Sequence, residues 1–204
     1  MIYLIPVLLG YFLGCSNLAW FLGKWMKKDL RGGGSGNLGA SNATVLLGWG
    51  AGIAVAIHDI GKAILAVCLA KLLFPAYEYA GVAAGVSCVI GHIFPFYLKF
   101  KGGKGFASYF GLTVALNWKL ALVLAVVVIL VTLVTDYIVM GTFSTIVTVP
   151  AYMAITTQNY ILTAILCIGT LLIFYKHWEN IQRLLRREEI GLRSTMRGDH
   201  RKKS

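Results

Sequence analysis

Residues 119–135 read KLALVLAVVVILVTLVT, a lysine followed by sixteen residues without a charged side chain. Roughly 20 apolar residues in a helix cross about 30 Å of hydrocarbon, and this run comes close to that length. Moving outward, 137–157 and 160–175 follow almost without a break, and 80–98 and 3–23 precede it with the same character. Five membrane-crossing helices are therefore expected. Two shorter apolar pieces, 43–57 and 60–74, are split by His58-Asp59-Ile60-Gly61-Lys62, and a third, 106–116, also falls short of a full crossing, so the count lies between five and seven. Composition agrees: 58% of the 204 residues are hydrophobic and 13% charged, with a mean hydropathy of +0.74. That is more apolar sequence than a soluble domain of this size can bury. The fold class is all-α, a polytopic integral membrane helical bundle. One domain is expected over 1–192, followed by a basic tail, 193–204, without structure.

Charge placement orients the bundle. Sixteen of the 19 Lys and Arg residues fall in three places: Lys24 to Arg31, Lys99 to Lys104, and Lys176 onward. Such an excess marks cytoplasmic loops. The residues before the first span carry no charged side chain, and the segments around Glu78 and from Thr156 to Tyr160 are nearly charge-free. The N-terminus is thus expected outside and the C-terminus inside, which requires an odd number of crossings and favours seven. Positive charge follows the first apolar run rather than preceding it, and no small-residue cleavage pattern comes after, so that run is expected to stay in the mature chain. The net charge of +11 does not point to nucleic acid, because the basic residues flank apolar helices, where orientation and attraction to anionic lipids account for them. Cys15, Cys68, Cys88 and Cys167 each sit alone inside an apolar run. They read as small buried hydrophobes rather than disulfides or a metal site.

Three polar stretches then share one membrane face. Asp29 to Ala43 mixes five glycines with Ser35, Asn37, Ser41 and Asn42. It reads either as a backbone nest for phosphate or carbonyl oxygen, or as a flexible linker in which Asn42 caps the next helix. Gly91 to Gly105 ends in Lys101-Gly102-Gly103-Lys104-Gly105, either an anion cradle or a basic turn anchoring a helix end at headgroups. Its spacing is not that of the Walker loop. In Lys176 to Glu189, a helix would bring His177, Asn180 and Leu184 to one face; an amphipathic interfacial helix is the alternative. The convergence of all three favours a membrane enzyme acting on phosphorylated substrates, at least one of them partly lipid. A protein that binds or transports a phosphate ester without chemistry is the competing class. The few ionisable residues inside the apolar helices, chiefly Asp59, Lys62 and Lys71, weigh against a transport path.

These same residues carry a family resemblance. Gly34-Ser35-Gly36-Asn37 with Gly39-Ala40 and Asn42, then Gly91-His92 with Pro95, Phe100 and Gly102-Gly103-Lys104-Gly105, then His177 with Asn180-Ile181, Arg183-Leu184 and Glu189, closely resemble the bacterial acyl-phosphate:glycerol-3-phosphate acyltransferases. Asp59 and Lys62 fit the spacing between the first two motifs, and the resemblance spans nearly the whole chain. It implies transfer of a fatty acyl group from acyl phosphate to the 1-hydroxyl of sn-glycerol 3-phosphate, giving lysophosphatidate and phosphate in the bacterial inner membrane. The active site would face the cytoplasm, and no cofactor or metal would be needed. An acyl phosphate is already activated, so the enzyme chiefly holds two dianions close together and orients the hydroxyl. On this reading Ser35, His177 and Asn180 are the catalytic residues. Gly36, Asn37, Asn42, Gly102, Gly103, Lys104, Gly105 and Thr142 bind substrate. His177 is either the base or an orienter, and His92 is expected to be a helix-packing hydrogen-bonder.

The chain also departs from the family's pattern. Val45 stands where an arginine is usual, Asp136-Tyr137 where a basic residue precedes the tyrosine, and Arg187 where glycine is usual. Of the two hydroxyls usual after that tyrosine, Thr142 keeps one. Either another lysine compensates, or the acceptor is a different polyol phosphate or alcohol.

Overall fold

Asparagine side chains set where three of the apolar runs begin. Asn17 Oδ1 accepts the Trp20 N–H at 2.9 Å, Asn117 Oδ1 that of Leu120 at 3.0 Å, and Asn159 Oδ1 that of Leu162 at 3.0 Å. Each satisfies a backbone donor that a helix start leaves open. In the computed structural model, which describes residues 2–197, these caps open α2 (Leu18–Trp25), α7 (Trp118–Thr135) and α9 (Tyr160–Lys176). The other described helices are α1 (Leu4–Cys15), α3 (Ala40–Leu47), α4 (Trp49–Leu73), α5 (Ala80–Ile93), α6 (Phe106–Leu116), α8 (Ile138–Thr157), α10 (Trp178–Leu185) and α11 (Leu192–Arg197).

Five segments are long and apolar enough to cross a membrane: Leu4–Trp25, which joins α1 and α2, then Trp49–Leu73, Ala80–Leu98, Trp118–Thr135 and Ile138–Thr157. The pair α9 and α10, bent by 47°, makes a sixth. The sequence pieces 43–57 and 60–74 are not separate units, because α4 runs through His58-Asp59 without a break. Its charges neutralise each other one turn apart, Lys62 Nζ lying 2.8 Å from Asp59 Oδ1.

The short α6 has its own cause. After α5 the chain passes a 3₁₀ turn at Phe96–Leu98 and folds back, so that Gly102 N–H donates to Ile93 O and Gly103 N–H to His92 O, both at 3.0 Å. The next helix starts at the level of the end of α5, and its 11 residues rise only about 16 Å before the turn at Asn117. From there α7 returns to Asp136, so α6 makes a pass of its own between α5 and α7.

α5 is the central helix, with 78% of its span buried, against 22% for α7 at the rim. Small residues let α1 and α5 touch backbone to backbone: a Cβ on Gly10 would strike Ala84 O, one on Gly14 Cys88 O, and one on Gly91 Tyr11 O. Close approach of this kind is what associates helices where lipid removes the hydrophobic drive. Val86, Tyr109, Leu112, Ile146, Leu166 and Ile173 fill the space between α5, α6, α8 and α9. At one end of the bundle Tyr3 meets Tyr77 and Tyr79, and Asn159 Nδ2 donates to Glu78 Oε1 at 2.9 Å. The polar loops lie at the other end.

The tail departs from expectation at its start. α11 is ordered over Leu192–Arg197, because the Leu192 N–H donates to Asp136 O at 2.7 Å and the Arg193 N–H to Asp136 Oδ1 at 2.8 Å. The rest of the expected tail, 198–204, lies outside the described residues.

Candidate active site

The loop between α2 and α3 is gathered by one side chain. Asn42 Nδ2 donates to Leu30 O at 2.8 Å, Asn37 O at 2.9 Å and Gly33 O at 3.3 Å, while its Oδ1 accepts the Ser35 N–H at 2.9 Å. Asn42 is 1% exposed, and Gly34, at φ +58°, passes so close that a Cβ there would strike its amide oxygen. Asn42 borders the cleft, and both its donors are committed to the loop. Gly36 is likewise a turn residue, at φ +66° with its N–H on Gly33 O at 3.0 Å, rather than part of the cleft wall. Ser35 and Asn37 do line the cleft, together with Gly39 to Ser41 at the start of α3.

The second glycine stretch is built differently. The N–H groups of Gly102 and Gly103 are taken by Ile93 O and His92 O, and a Cβ on either would run into His92. Their expected role as direct phosphate donors is therefore corrected: they let the hairpin lie against α5. Donors toward the cleft come further on. Gly105, at φ +90°, turns the chain into α6, whose first turn has no side-chain cap, and Gly105, Phe106 and Ala107 line the cleft beside Lys104.

The third wall is α10. Lys104 Nζ donates to Asn180 Oδ1, Asn180 Nδ2 donates to Glu189 Oε1 at 2.6 Å, and Arg183 Nε donates to Glu189 Oε2 at 2.8 Å. Burial, and after it the nearby Arg183 guanidinium, push the Lys104 ammonium down to about 8. His177 Nδ1 lies 2.8 Å from Ile173 O; a carbonyl only accepts, so the proton sits on Nδ1 and the Nε2 lone pair is free. The ring is held edge-on against Phe143. The fourth wall is the start of α8, where Ile138, Val139 and Thr142 line the cleft; the Thr142 hydroxyl donates to Ile138 O at 3.2 Å and keeps its lone pairs.

Three helices, α3, α6 and α8, thus begin at one cleft without side-chain caps, and α10 lays its His177, Asn180 and Arg183 face along it. The three starts bring backbone N–H groups and the positive ends of helix dipoles. Sequence reasoning did not assign roles to Arg183 and Glu189 or see these helix starts. Arg183 was within reach, since His177, Asn180 and Arg183 recur every three residues along one face.

Two departures from the family's pattern also find their place. Asp136 turns away to receive the Arg193 and Leu192 N–H groups, whereas Val45, 6% exposed, lies in the cleft wall.

The fold and cleft define a multi-pass helical membrane protein with a polar cleft, lined by Lys104 and Arg183, at one end of the bundle. The family model for glycerol-3-phosphate acyltransferase matches residues 4–187, and this chain belongs to that family. Glycerol-3-phosphate acyltransferase 1 of Oceanobacillus iheyensis is 37% identical over 95% of this chain and 97% of its own length. The glycerol-3-phosphate acyltransferase of Pelagibacter ubique is 39% identical over 93% of this chain and 97% of its own. A crystal structure of PlsY, an integral membrane glycerol 3-phosphate acyltransferase in its glycerol 3-phosphate form, superposes with a TM-score of 0.88 at 29% identity, covering 93% of this chain and 95% of that one. The lysophosphatidic acid form gives 0.84 at 28% identity, covering 93% and 94%.

Proposed function

We propose that this acyltransferase moves a fatty acyl group from acyl phosphate to the 1-hydroxyl of sn-glycerol 3-phosphate, producing lysophosphatidate and inorganic phosphate, with its cleft open to the cytoplasm of the bacterial inner membrane. The observation that carries the reading is the convergence of three helix starts without side-chain caps, with Lys104 and Arg183, on one cleft. Two substrates that each bring a phosphate need that much positive potential within one small volume. The family membership and the two forms of PlsY support glycerol 3-phosphate as acceptor.

In the reaction the acceptor oxygen bonds to the acyl carbon, the bond from that carbon to the phosphate oxygen breaks, and phosphate leaves. Lys104 and the first turn of α6 hold one phosphate; Ser35, Asn37 and the first turn of α3 hold the other charge, including that which develops on the carbonyl oxygen. His177 accepts the hydroxyl's hydrogen bond at Nε2 and orients it for attack, and Asn180 fixes the Lys104 ammonium. The proton departs on the released phosphate. Apolar wall residues Phe106, Ile138 and Val139 suit the lipid side of the donor.

Purified protein in lipid with palmitoyl phosphate and a panel of acceptors, scored for phosphate release and acylated product, tests the assignment. Turnover with acyl coenzyme A while acyl phosphate is inert would overturn the donor. Cysteine labelling from either side should place Ser35, Lys104 and Arg183 inside, and opposite faces for Ser35 and Lys104 would exclude a shared site.

A further inference from the structure

A buried ion cluster lies behind the hairpin, with Asp59 and His92 reaching the cleft wall, and the chemistry above makes no use of it. Lys62 Nζ stands 2.8 Å from Asp59 Oδ1, 2.9 Å from His92 Nδ1 and 2.7 Å from Ser16 O. These three acceptors occupy all three ammonium hydrogens. His58 Nδ1 approaches the same carboxylate oxygen at 3.2 Å, and its Nε2 meets Ser16 Oγ at 2.9 Å. Asp59, Lys62 and His92 are each no more than 6% exposed, inside α4 and α5. A buried ion pair is seldom more stabilising than apolar side chains of the same volume, so stability does not explain it. Ionisable groups inside spanning helices are by default there for function.

The cluster touches both anion-binding walls. An ammonium only donates, so His92 Nδ1 accepts and the ring proton sits on Nε2. Nε2 is the atom that a Cβ on Gly103 would strike first, and His92 O accepts the Gly103 N–H at 3.0 Å. Ring and carbonyl of one residue therefore both bear on Gly103, immediately before Lys104. At its other end the cluster holds Ser16, whose neighbour Asn17 donates from Nδ2 to Leu38 O at 3.2 Å, in the loop that carries Ser35.

We infer that Asp59, Lys62 and His92 are positioning residues: the ion pair fixes the His92 ring, and the ring seats the hairpin so that Lys104 stands in register with the opposite wall of the cleft. The kinetic readout of this inference rests on the acyl-transfer reading; its structural readout does not.

The test compares the full chain in lipid nanodiscs as wild type, as Asp59→Asn/Lys62→Met, and as His92→Phe. Removing both charges together avoids leaving one buried and unpaired, and phenylalanine fills the ring volume without its nitrogens. Hydrogen exchange read by mass spectrometry should rise in residues 99–105 while α4 and α5 keep wild-type protection. With palmitoyl phosphate and glycerol 3-phosphate, kcat/KM should fall by about 10²-fold, as expected when a binding group is displaced by about 1 Å. Unchanged hairpin exchange and unchanged kcat/KM would overturn the inference, as would exchange rising uniformly along α4 and α5, the mark of a merely structural cluster. Should the double variant fail to fold, His92→Phe carries the same comparison. A wild type inactive on glycerol 3-phosphate, with the hairpin still loosened in the variants, would strike the functional reading and leave the positioning role standing.

Discussion

The two glycine-rich loops look alike on paper and are held by opposite means. The Gly32–Gly39 loop is gathered around one amide, that of Asn42, which makes three donations and one acceptance. The Gly102–Gly105 hairpin has no such hub; it is pressed onto the end of α5 by two backbone hydrogen bonds and by contacts that leave no room for a side chain. One loop therefore depends on polar satisfaction and the other on missing volume. A single kind of mutation will not damage both equally.

The largest effect is expected at the hub. Asn42→Ala leaves the Leu30, Asn37 and Gly33 carbonyls and the Ser35 N–H without their partner, at a cost of about 2 kcal/mol or more. Acyl transfer should drop by at least about 10²-fold as Ser35 loses its place. Thermal unfolding in detergent alongside turnover checks this; an active, stable variant would mean the loop organises itself.

Gly103→Ala comes next, because the methyl group enters the His92 ring, and kcat/KM should fall by about tenfold to 10²-fold with the α2–α3 loop unaffected. Hydrogen exchange should rise in residues 99–105 of the variant and keep its wild-type level in residues 29–43. Wild-type exchange in 99–105 would assign the damage to something other than that contact.

Lys104→Met sharpens the comparison by removing charge and leaving both loop architectures intact. The KM for the phosphorylated substrate should rise about tenfold, with no loss of stability, since a buried ammonium is also removed. In the wild type the ammonium is pushed down to about 8, so in the free enzyme it is charged below that pH and neutral above it. Accordingly kcat/KM should decline as pH rises through about 8. A bound phosphate dianion favours the charged form and should move the corresponding limb of kcat to higher pH. Pure Lys104→Met enzyme should lack that limb.

The smallest effect is expected from Val45→Arg, which adds a guanidinium to the wall formed by α3. Glycerol 3-phosphate binding should tighten several-fold, by about 1 kcal/mol, while uncharged polyols gain nothing. If the native reaction slows as activity on glycerol 3-phosphate improves, the pocket is specialised for another acceptor. Equal behaviour with every acceptor would show that position 45 does not reach the substrate.

The apolar runs were legible because lipid exposure leaves little room for polar side chains, and 80–98 and 137–157 closely match α5 with its 3₁₀ turn, and α8. The full length of α4 was not, since Asp59 and Lys62 lower its hydropathy while cancelling each other in space. The shortness of 106–116 was visible in the sequence. Its cause, a hairpin folding back to the level of His92, is a tertiary arrangement that no local pattern encodes. In the cleft, Lys104, His177 and Asn180 were found from residue type and periodicity. The division of labour among glycines was not, because a glycine that exposes its N–H and one that merely makes room are written with the same letter. Asp136 misled for a related reason: its carboxylate is committed to Arg193, 57 positions along the chain.

Glu189 gives the cleft a tethered competitor. Its two carboxylate oxygens already engage Asn180 and Arg183, the residues beside Lys104 where a phosphate would be received. In the proposed reaction an arriving dianion would not meet bare cations; it would enter by exchange with an anion held at high local concentration by the chain itself. Such a site trades affinity for traffic.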